Sequence, residues 1–202
     1  MNSPIHRAWV RLPSGRRLDL MNPDPSAWLD EDLAIRLART YRWGGESVWP
    51  WPLSVAQHSL LVLALRRQWS DVPLNRSDAL LELLHDAEEG LLGFDCISPL
   101  KDVLGLSFRA VSSRLMAAIS ARYELRAWTP ATHAAHKRAD SVAAASEAVH
   151  CIGWHVLEIR NVLGIVHPVL DVDPLAELYD CLPWAPWPAD VAAERFLGHW
   201  NR

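Results

Sequence analysis

The stretch SVAQHSLLVLALRRQ, from Ser54 to Gln68, gives the clearest indication of the fold. Its apolar residues recur at the spacing of one helix face: Val55, Leu61, Val62 and Leu65. Ser54 precedes them and is a residue type that often caps a helix N-terminus. The imidazole of His58 lies among these apolar positions. The stretch therefore predicts a helix that turns one polar side chain inward.

The same periodicity predicts further helices along the chain. They cover about 29–42, Asn75 or Ser77 to near Gly90, about 104–123, Pro130 to about His155, a short helix from Asp173-Pro174, and a last one with Val191, Phe196, Leu197 and Trp200. Two short runs around Pro13-Ser14-Gly15 predict a β-hairpin, the one convincing strand signal. We therefore expect a single all-α domain over 1–202, with a hairpin and lead-in at 1–25 and helices over 29–200.

Composition and charge exclude several classes of protein. The chain has 202 residues, of which 50% are hydrophobic and 22% charged, and its formal net charge is -4. The apolar fraction excludes disordered and collagen-like chains, and the slight acidity argues against binding of duplex nucleic acid. Three cysteines at unrelated spacings favour a reducing compartment. No apolar run approaches the roughly 20 residues that span a bilayer, so we expect a soluble, cytoplasmic protein that does not bind membranes.

Metal-ligating residue types lie in three places within otherwise apolar stretches. They are His58, the pair His85-Asp86 and the distant Asp140. Burying an ionised carboxylate is costly unless a cation pairs with it, and a divalent cation would pair two carboxylates and two imidazoles that face one point. Such a donor set suits Zn, Mn, Fe or Co. Taken singly, each residue has an ordinary structural explanation: a core histidine bonded to a carbonyl, or an aspartate that caps a helix or pairs with Arg138.

Taken together, the order His, His-Asp, Asp resembles the HD-domain phosphohydrolase superfamily, and within it the bacterial 5'-deoxynucleotidases and phage dATP triphosphohydrolases. The resemblance covers nearly the whole chain. Five stretches carry it: YRWGG (41–45), SVAQHS (54–59), LHDAEE (84–89), SPLK (98–101) and KRAD (137–140). The resemblance implies an HD-domain helical bundle that holds one divalent metal ion: Zn, Co, Mn, Fe or Mg.

The resemblance also implies a role for individual residues. His58, His85, Asp86 and Asp140 match the family's metal ligands. Glu89 matches a glutamate that orients or deprotonates the attacking water, and Arg42 an arginine that grips phosphate. Trp43 matches an aromatic packed on the sugar, and Asp95 an aspartate near that sugar. Lys101 and Lys137 match lysines that supplement the phosphate charge, although each is nearly as well explained as a solvated side chain. Glu147 matches a recurrent acidic position, for which we expect a structural ion pair.

The chain departs from the family pattern in two places. Between Glu89 and Pro99, Phe94 resembles a one-residue insertion and Ile97 stands where a proline is usual, which weakens the assignment of Asp95. The stretch Trp49-Pro50-Trp51-Pro52 is more aromatic than its counterparts. It would either wall a base-binding pocket or form a stiff surface loop with its tryptophans packed on the core.

The resemblance implies metal-dependent hydrolysis of a 2'-deoxynucleotide, either a monophosphate or a triphosphate, with a small-molecule nucleotide as the partner and a dimer or hexamer as the assembly. A cyclic-nucleotide or guanosine tetraphosphate hydrolase of the same superfamily would need further histidine ligands. The sequence has no histidine between Asp86 and His133, which argues for one metal, and His133 and His136 are the histidines left as candidates for a second. A non-catalytic nucleotide sensor is the other alternative, but a sensor has no need of Glu89.

Overall fold

A computed structural model describes residues 8–200 of the chain, and the predicted hairpin lies at the start of this range. Strand β1 (Trp9–Arg11) pairs antiparallel with β2 (Arg17–Asp19), with Val10 opposite Leu18. The hairpin is closed by backbone hydrogen bonds between Leu12 and Arg16 and between Gly15 and Leu12. The first seven residues of the predicted lead-in lie outside the described residues.

Helices make up most of the described chain. They are α1 (Asp30–Arg39), α2 (Val55–Trp69), α3 (Arg76–Leu83), α4 (Ala87–Leu92), α5 (Ser98–Tyr123), α6 (Pro130–His150), α7 (Val156–Asn161), α8 (Pro174–Tyr179) and α9 (Ala189–Leu197). A single 3₁₀ turn, Trp43–Gly45, precedes α2. The expectation of a mostly helical chain with a small N-terminal hairpin is confirmed.

The predicted starts of α2 and α8 are confirmed, and each is defined by a local side-chain cap. The hydroxyl of Ser54 accepts a hydrogen bond from the backbone N–H of Gln57 at the start of α2, as predicted. The carboxylate of Asp173 likewise accepts from the N–H of Leu175 at the start of α8. Both side chains satisfy backbone donors that have no partner within the helix.

The prediction of one helix ending near Gly90 is wrong. The chain leaves the helical conformation between α3 and α4, where Leu84 and Asp86 have ψ angles of 13° and 23°. The apolar pattern continues through this break because both short helices bury the same side, so periodicity alone does not reveal it. His85 and Asp86 therefore lie in a turn between two helices.

Three further helix boundaries differ from the prediction. Helix α5 begins at Ser98 because Pro99 fits the first turn of a helix, and it kinks at Gly105, whose φ is 72°. Helix α6 ends at His150 and is followed by Gly153 with a φ of 83°, so the predicted extension to about 155 is replaced by the separate helix α7. Trp200 lies beyond the end of α9.

Helix α2 lies at the centre of the fold and packs against α1, α3, α6, α8 and α9. Its residues from Val55 to Leu63 are all buried, including the polar Gln57 and His58. Helix α1 packs against α4 and α9, and the side chains of Trp28 and Phe196 are fully buried beside it. A helix surrounded on all sides positions its polar residues rigidly, and His58 is one of them.

Helix α5 departs from the expectation that no segment is long and apolar enough to cross a membrane. By length and composition its part Pro99–Tyr123 could do so, with a mean hydropathy of 1.2 over an 18-residue window, and only 17% of that window is buried. Val103 and Leu106 are exposed beside the Gly105 kink. Arg109 and Arg114 lie within the same part of the helix.

Helices α1 and α4 approach closely at Gly90. A Cβ atom built on Gly90 would lie 2.7 Å from Cγ of Leu37, a separation that real Cβ contacts do not show. Gly90 is therefore required by packing, although glycine weakens a helix.

We predict that Gly90→Ala lowers the free energy of unfolding by about 1–3 kcal/mol, because overpacking outweighs the gain in helix propensity. Urea unfolding followed by circular dichroism measures the change. In a Leu37→Ala background, which lacks Cγ and Cδ2 and leaves the backbone nitrogen of residue 37 at 3.2 Å, the same substitution should cost less. A higher melting temperature of Gly90→Ala in the wild-type background would contradict the packing argument.

Candidate metal centre

The structure brings His58, His85, Asp86 and Asp140 together. His58 comes from the first turn of α2, His85 and Asp86 from the turn between α3 and α4, and Asp140 from the middle of α6. Nε2 of His85 lies 3.1 Å from Oδ2 of Asp86, and Nε2 of His58 lies 3.3 Å from Oδ1 of Asp140. The two Nε2 atoms are 3.3 Å apart. Ligand atoms of His58, His85 and Asp86 all lie within 4.8 Å of one another.

Both imidazoles are held by their Nδ1 atoms. Nδ1 of His58 is 2.6 Å from Oε1 of Glu147, and Nδ1 of His85 is 2.8 Å from the backbone carbonyl oxygen of Glu82. A carbonyl only accepts, so Nδ1 of His85 carries the proton, and in the neutral ring its Nε2 carries a lone pair. Histidines that ligate metals are commonly oriented in this way. His58, His85 and Asp86 therefore fit a divalent cation, and Asp140 adds a second carboxylate beside Nε2 of His58.

The charges of this cluster are strongly coupled. Burial and Arg42 lower the pKa of His58, but the carboxylates of Glu147 and Asp140 outweigh them and raise it to about 9. Burial raises the pKa of Asp140, but its hydrogen bond to His58 outweighs this and holds that pKa well below its usual range. Burial also raises the pKa of Asp86, but the nearby His85 outweighs it and holds that pKa well below its usual range. Both aspartates therefore favour a positive charge at the Nε2 atoms of His58 and His85.

Glu147 connects the cluster to Arg42. Its Oε2 accepts a hydrogen bond from Nε of Arg42 at 2.9 Å, and Nη1 of Arg42 lies 3.9 Å from Oδ2 of Asp86. The side chain of Glu147 is 1% exposed, and although burial raises its pKa, Arg42 and His58 lower it to about 2. The structural ion pair expected for Glu147 is present, with Arg42 as the partner. The additional bond to His58 was not predicted, although the heptad spacing from Asp140 places both acids on one face of α6.

Trp43 lies beside this ion pair. Its indole Nε1 is 3.4 Å from Oε2 of Glu147, and its ring packs on a small apolar cluster that contains Ala145, Ala148 and Ile159. The backbone of Trp43 has a φ of 58°, a left-handed conformation that is uncommon for a non-glycine residue. The ring is half-buried and sits one residue after Arg42.

Glu89 and Lys101 meet on the other side of Asp86. Nζ of Lys101 donates to Oε1 of Glu89 at 2.8 Å, while Oε2 of Glu89 has no hydrogen-bond partner among residues 8–200. Burial and the nearby charge of Asp86 raise the pKa of Glu89 to about 9. Glu88, which the sequence analysis did not single out, is also buried, and burial and Asp86 raise its pKa to about 7.

The other predicted substrate residues are less closely tied to the cluster. Lys137 is half-exposed and its Nζ lies 3.0 Å from Oδ2 of Asp140. Asp95 is half-buried between α4 and α5, where its negative charge helps to raise the pKa of Arg42 and of Glu89. In the Trp49–Pro52 stretch, Nε1 of Trp49 donates to the carbonyl of His150 and holds that ring against the protein, whereas Trp51 is 52% exposed.

Glu82 holds a second buried network behind His85. Its carboxylate accepts from Nε of Arg66 at 2.7 Å and binds Nδ1 of His136 at 2.8 Å. The ring of His136 packs edge-on against that of His85 and stacks on Trp128. Sequence reasoning missed Glu82, whose signal is an acidic residue on the apolar α3, three positions before His85. His136 therefore supports the ring of His85.

A comparison with known sequences finds an uncharacterized protein of Rhodobacter capsulatus that is 41% identical over 167 residues. The matched part covers 82% of this chain and 84% of the relative. The chain belongs to the family of that protein. No family model matches the chain. The name of the Rhodobacter capsulatus relative gives no activity, so the function is argued from the site itself.

We predict that Glu147→Gln lowers the free energy of unfolding by about 3–5 kcal/mol at pH 7, because it leaves Arg42 buried without its counter-charge. The folded-state pKa of Glu147 lies below its unfolded value of 4.5. Its contribution is therefore complete above pH 4.5 and is lost as the pH falls towards 2. The difference from wild type should shrink below pH 4.5.

Urea titrations of metal-free protein at several pH values measure this effect, and Glu194→Gln, at an exposed position, is the matched control. A constant difference between wild type and Glu147→Gln from pH 7 to pH 3 would mean that the ion pair does not carry the stability.

Proposed function

We propose that the protein is a metal-dependent phosphohydrolase of the HD-domain superfamily that acts on 2'-deoxynucleotides. The observation that carries this proposal is the convergence of His58, His85, Asp86 and Asp140 from three separate parts of the fold, with two imidazoles fixed by their Nδ1 atoms. Their order along the chain is the His, His-Asp, Asp order of that superfamily. The mostly helical fold of this chain agrees with an HD-domain bundle.

A divalent cation bound by these four residues would supply a Lewis acid and would lower the pKa of a bound water. The chain's own groups divide the remaining tasks. Arg42 presents a planar guanidinium at the edge of the cluster, where Glu147 fixes it through Nε, and it binds a phosphate through its remaining donors. Lys101, next to Glu89, adds a second positive charge near that phosphate.

Glu89 orients the attacking water or takes its proton. One property of Glu89 supports this role: its Oε2 has no partner among the described residues. Because burial and Asp86 raise its pKa to about 9, the carboxyl would accept a proton at neutral pH only when a bound cation stabilises its charged form. Lys101 holds the other oxygen and so fixes the orientation of the carboxylate.

Trp43 supports the choice of a deoxynucleotide. Its ring follows the phosphate-binding Arg42 directly and is held by the apolar cluster around Ala145 and by Glu147. A rigid indole packed against the sugar would leave no room for a 2'-hydroxyl and no partner to hydrogen-bond it, and the discrimination relies on the steric exclusion. The same residues serve a monophosphate or a triphosphate, because both reactions attack the α-phosphorus.

The proposal is tested by incubating purified protein with Mn, Co or Zn and a panel of deoxynucleoside mono- and triphosphates, ribonucleotides, cyclic nucleotides and guanosine tetraphosphate. We expect hydrolysis of deoxynucleotides, resolved by chromatography. Asp140→Ala should lose bound metal and turnover with its far-UV circular dichroism unchanged. Absence of hydrolysis in metal-loaded wild type would refute the proposal, and full metal occupancy of Asp140→Ala would exclude Asp140 as a ligand.

We predict that Glu89→Gln lowers kcat by about 10²–10⁴-fold, the usual contribution of a general base. The cation bound by His58, His85, Asp86 and Asp140 should be retained, and KM should change little. Steady-state kinetics and elemental analysis of the same preparation measure both quantities. A kcat close to wild type would mean that Glu89 does not act on the water.

A further inference from the structure

Glu88 is a buried acid that the proposed hydrolysis does not use. It belongs, with Asp86 and Glu89, to a group that we term the carboxylate trio. One oxygen of each of the three side chains lies within 4.8 Å of the others. Glu88 and Glu89 are only 8% and 2% exposed, so two of the three carboxylates are removed from water. Acids on a short helix such as α4 are usually solvated, and these are not.

The two buried glutamates each have one bound and one free oxygen. Oε1 of Glu88 accepts from the hydroxyl of Ser112 at 3.2 Å, and Oε1 of Glu89 accepts from Nζ of Lys101 at 2.8 Å. Oε2 of both residues is buried and has no hydrogen-bond partner within the described chain. Buried carboxylate oxygens without partners are rare because they lose hydration without compensation.

The charge of the trio points to the missing partner. Asp86 already faces His58, His85 and, at 3.9 Å, Arg42, whereas Lys101 reaches only Oε1 of Glu89 and Ser112 only Oε1 of Glu88. The two buried Oε2 atoms are therefore the positions that a cation would fill. Asp86 contacts His58, His85 and Arg42 through Oδ2, and one of its carboxylate oxygens lies within 4.8 Å of an oxygen of each glutamate.

We propose that Asp86, Glu88 and Glu89 bind a second divalent cation, with Asp86 shared between this site and the histidine-containing one. An all-oxygen donor set selects a hard cation such as Mg²⁺ or Mn²⁺, in contrast to the mixed nitrogen and oxygen donors of the first site. Lys101 covers Oε1 of Glu89, and the two lone pairs of Oε2 allow it to ligate the cation and still accept a hydrogen bond from the attacking water of the proposed hydrolysis. The inference rests on the proposed function only in that both use Asp86 and Glu89.

Glu88 is the residue that separates the two sites, because Glu89 also has a proposed role on the water. The experiment titrates metal-free protein with Mn²⁺ and follows free Mn²⁺ by electron paramagnetic resonance. Wild type should bind two Mn²⁺ per chain. Glu88→Gln should bind one, at the histidine-containing site, and Asp140→Asn should bind one, at the carboxylate trio. Asp86→Asn should lose both. Glu177→Gln, at an exposed position on α8, is the matched control and should bind two.

A second measurement on wild type alone keeps the inference testable if Glu88→Gln does not fold. Protein first loaded with one Zn²⁺ should still bind one Mn²⁺, because Zn²⁺ takes the histidines and leaves the trio. One Mn²⁺ per chain in wild type, no Mn²⁺ on the zinc-loaded protein, or two in Glu88→Gln would overturn the second site. If wild type binds one Mn²⁺ per chain and hydrolyses deoxynucleotides, this inference alone is refuted. If wild type binds two Mn²⁺ per chain and hydrolyses none of them, the proposed function alone is refuted.

Discussion

The buried carboxylate of Glu147 is the interaction on which the rest of the site depends. It binds Nδ1 of His58 with one oxygen and Nε of Arg42 with the other. Through these two bonds α6 is tied to α2 and to the loop after α1. A fully buried carboxylate is tolerated here because both oxygens have charge-assisted partners. Without Glu147, neither the orientation of the His58 ring nor the position of the Arg42 guanidinium would be fixed.

The break between α3 and α4 is the second constraint. In a continuous helix His85 and Asp86 would point about 100° apart, because adjacent residues of a helix do not face each other. The non-helical ψ angles of Leu84 and Asp86 remove this restriction and bring Nε2 of His85 to 3.1 Å from Oδ2 of Asp86. The carbonyl of Glu82, near the end of α3, then holds the other nitrogen of His85. A local loss of helix thus creates the pair on which the candidate centre depends.

Local signals explain what could be predicted from the sequence. The cap at Ser54, the periodicity of α2 and the turn of the hairpin involve residues within four positions of each other, and these predictions are confirmed. The break after Leu84 was missed because α3 and α4 bury the same side, so the apolar pattern runs through it. The bond between His58 and Glu147 spans 89 positions, and nothing local specifies it. Glu88 gave no signal because an acid on a helix is ordinarily solvated.

The charges around the candidate centre constrain how an anionic substrate would enter. Five carboxylates, those of Asp86, Glu88, Glu89, Asp140 and Glu147, lie in and beside the cluster. Their partners among the described residues include Arg42, Lys101, Lys137 and the imidazoles of His58 and His85, so these groups are already paired with carboxylates. Without bound cations the site therefore offers a phosphate group little positive charge that is not already paired. In the proposed reaction we accordingly expect bound metal to favour nucleotide binding, with Arg42 adding its remaining donors to the phosphate.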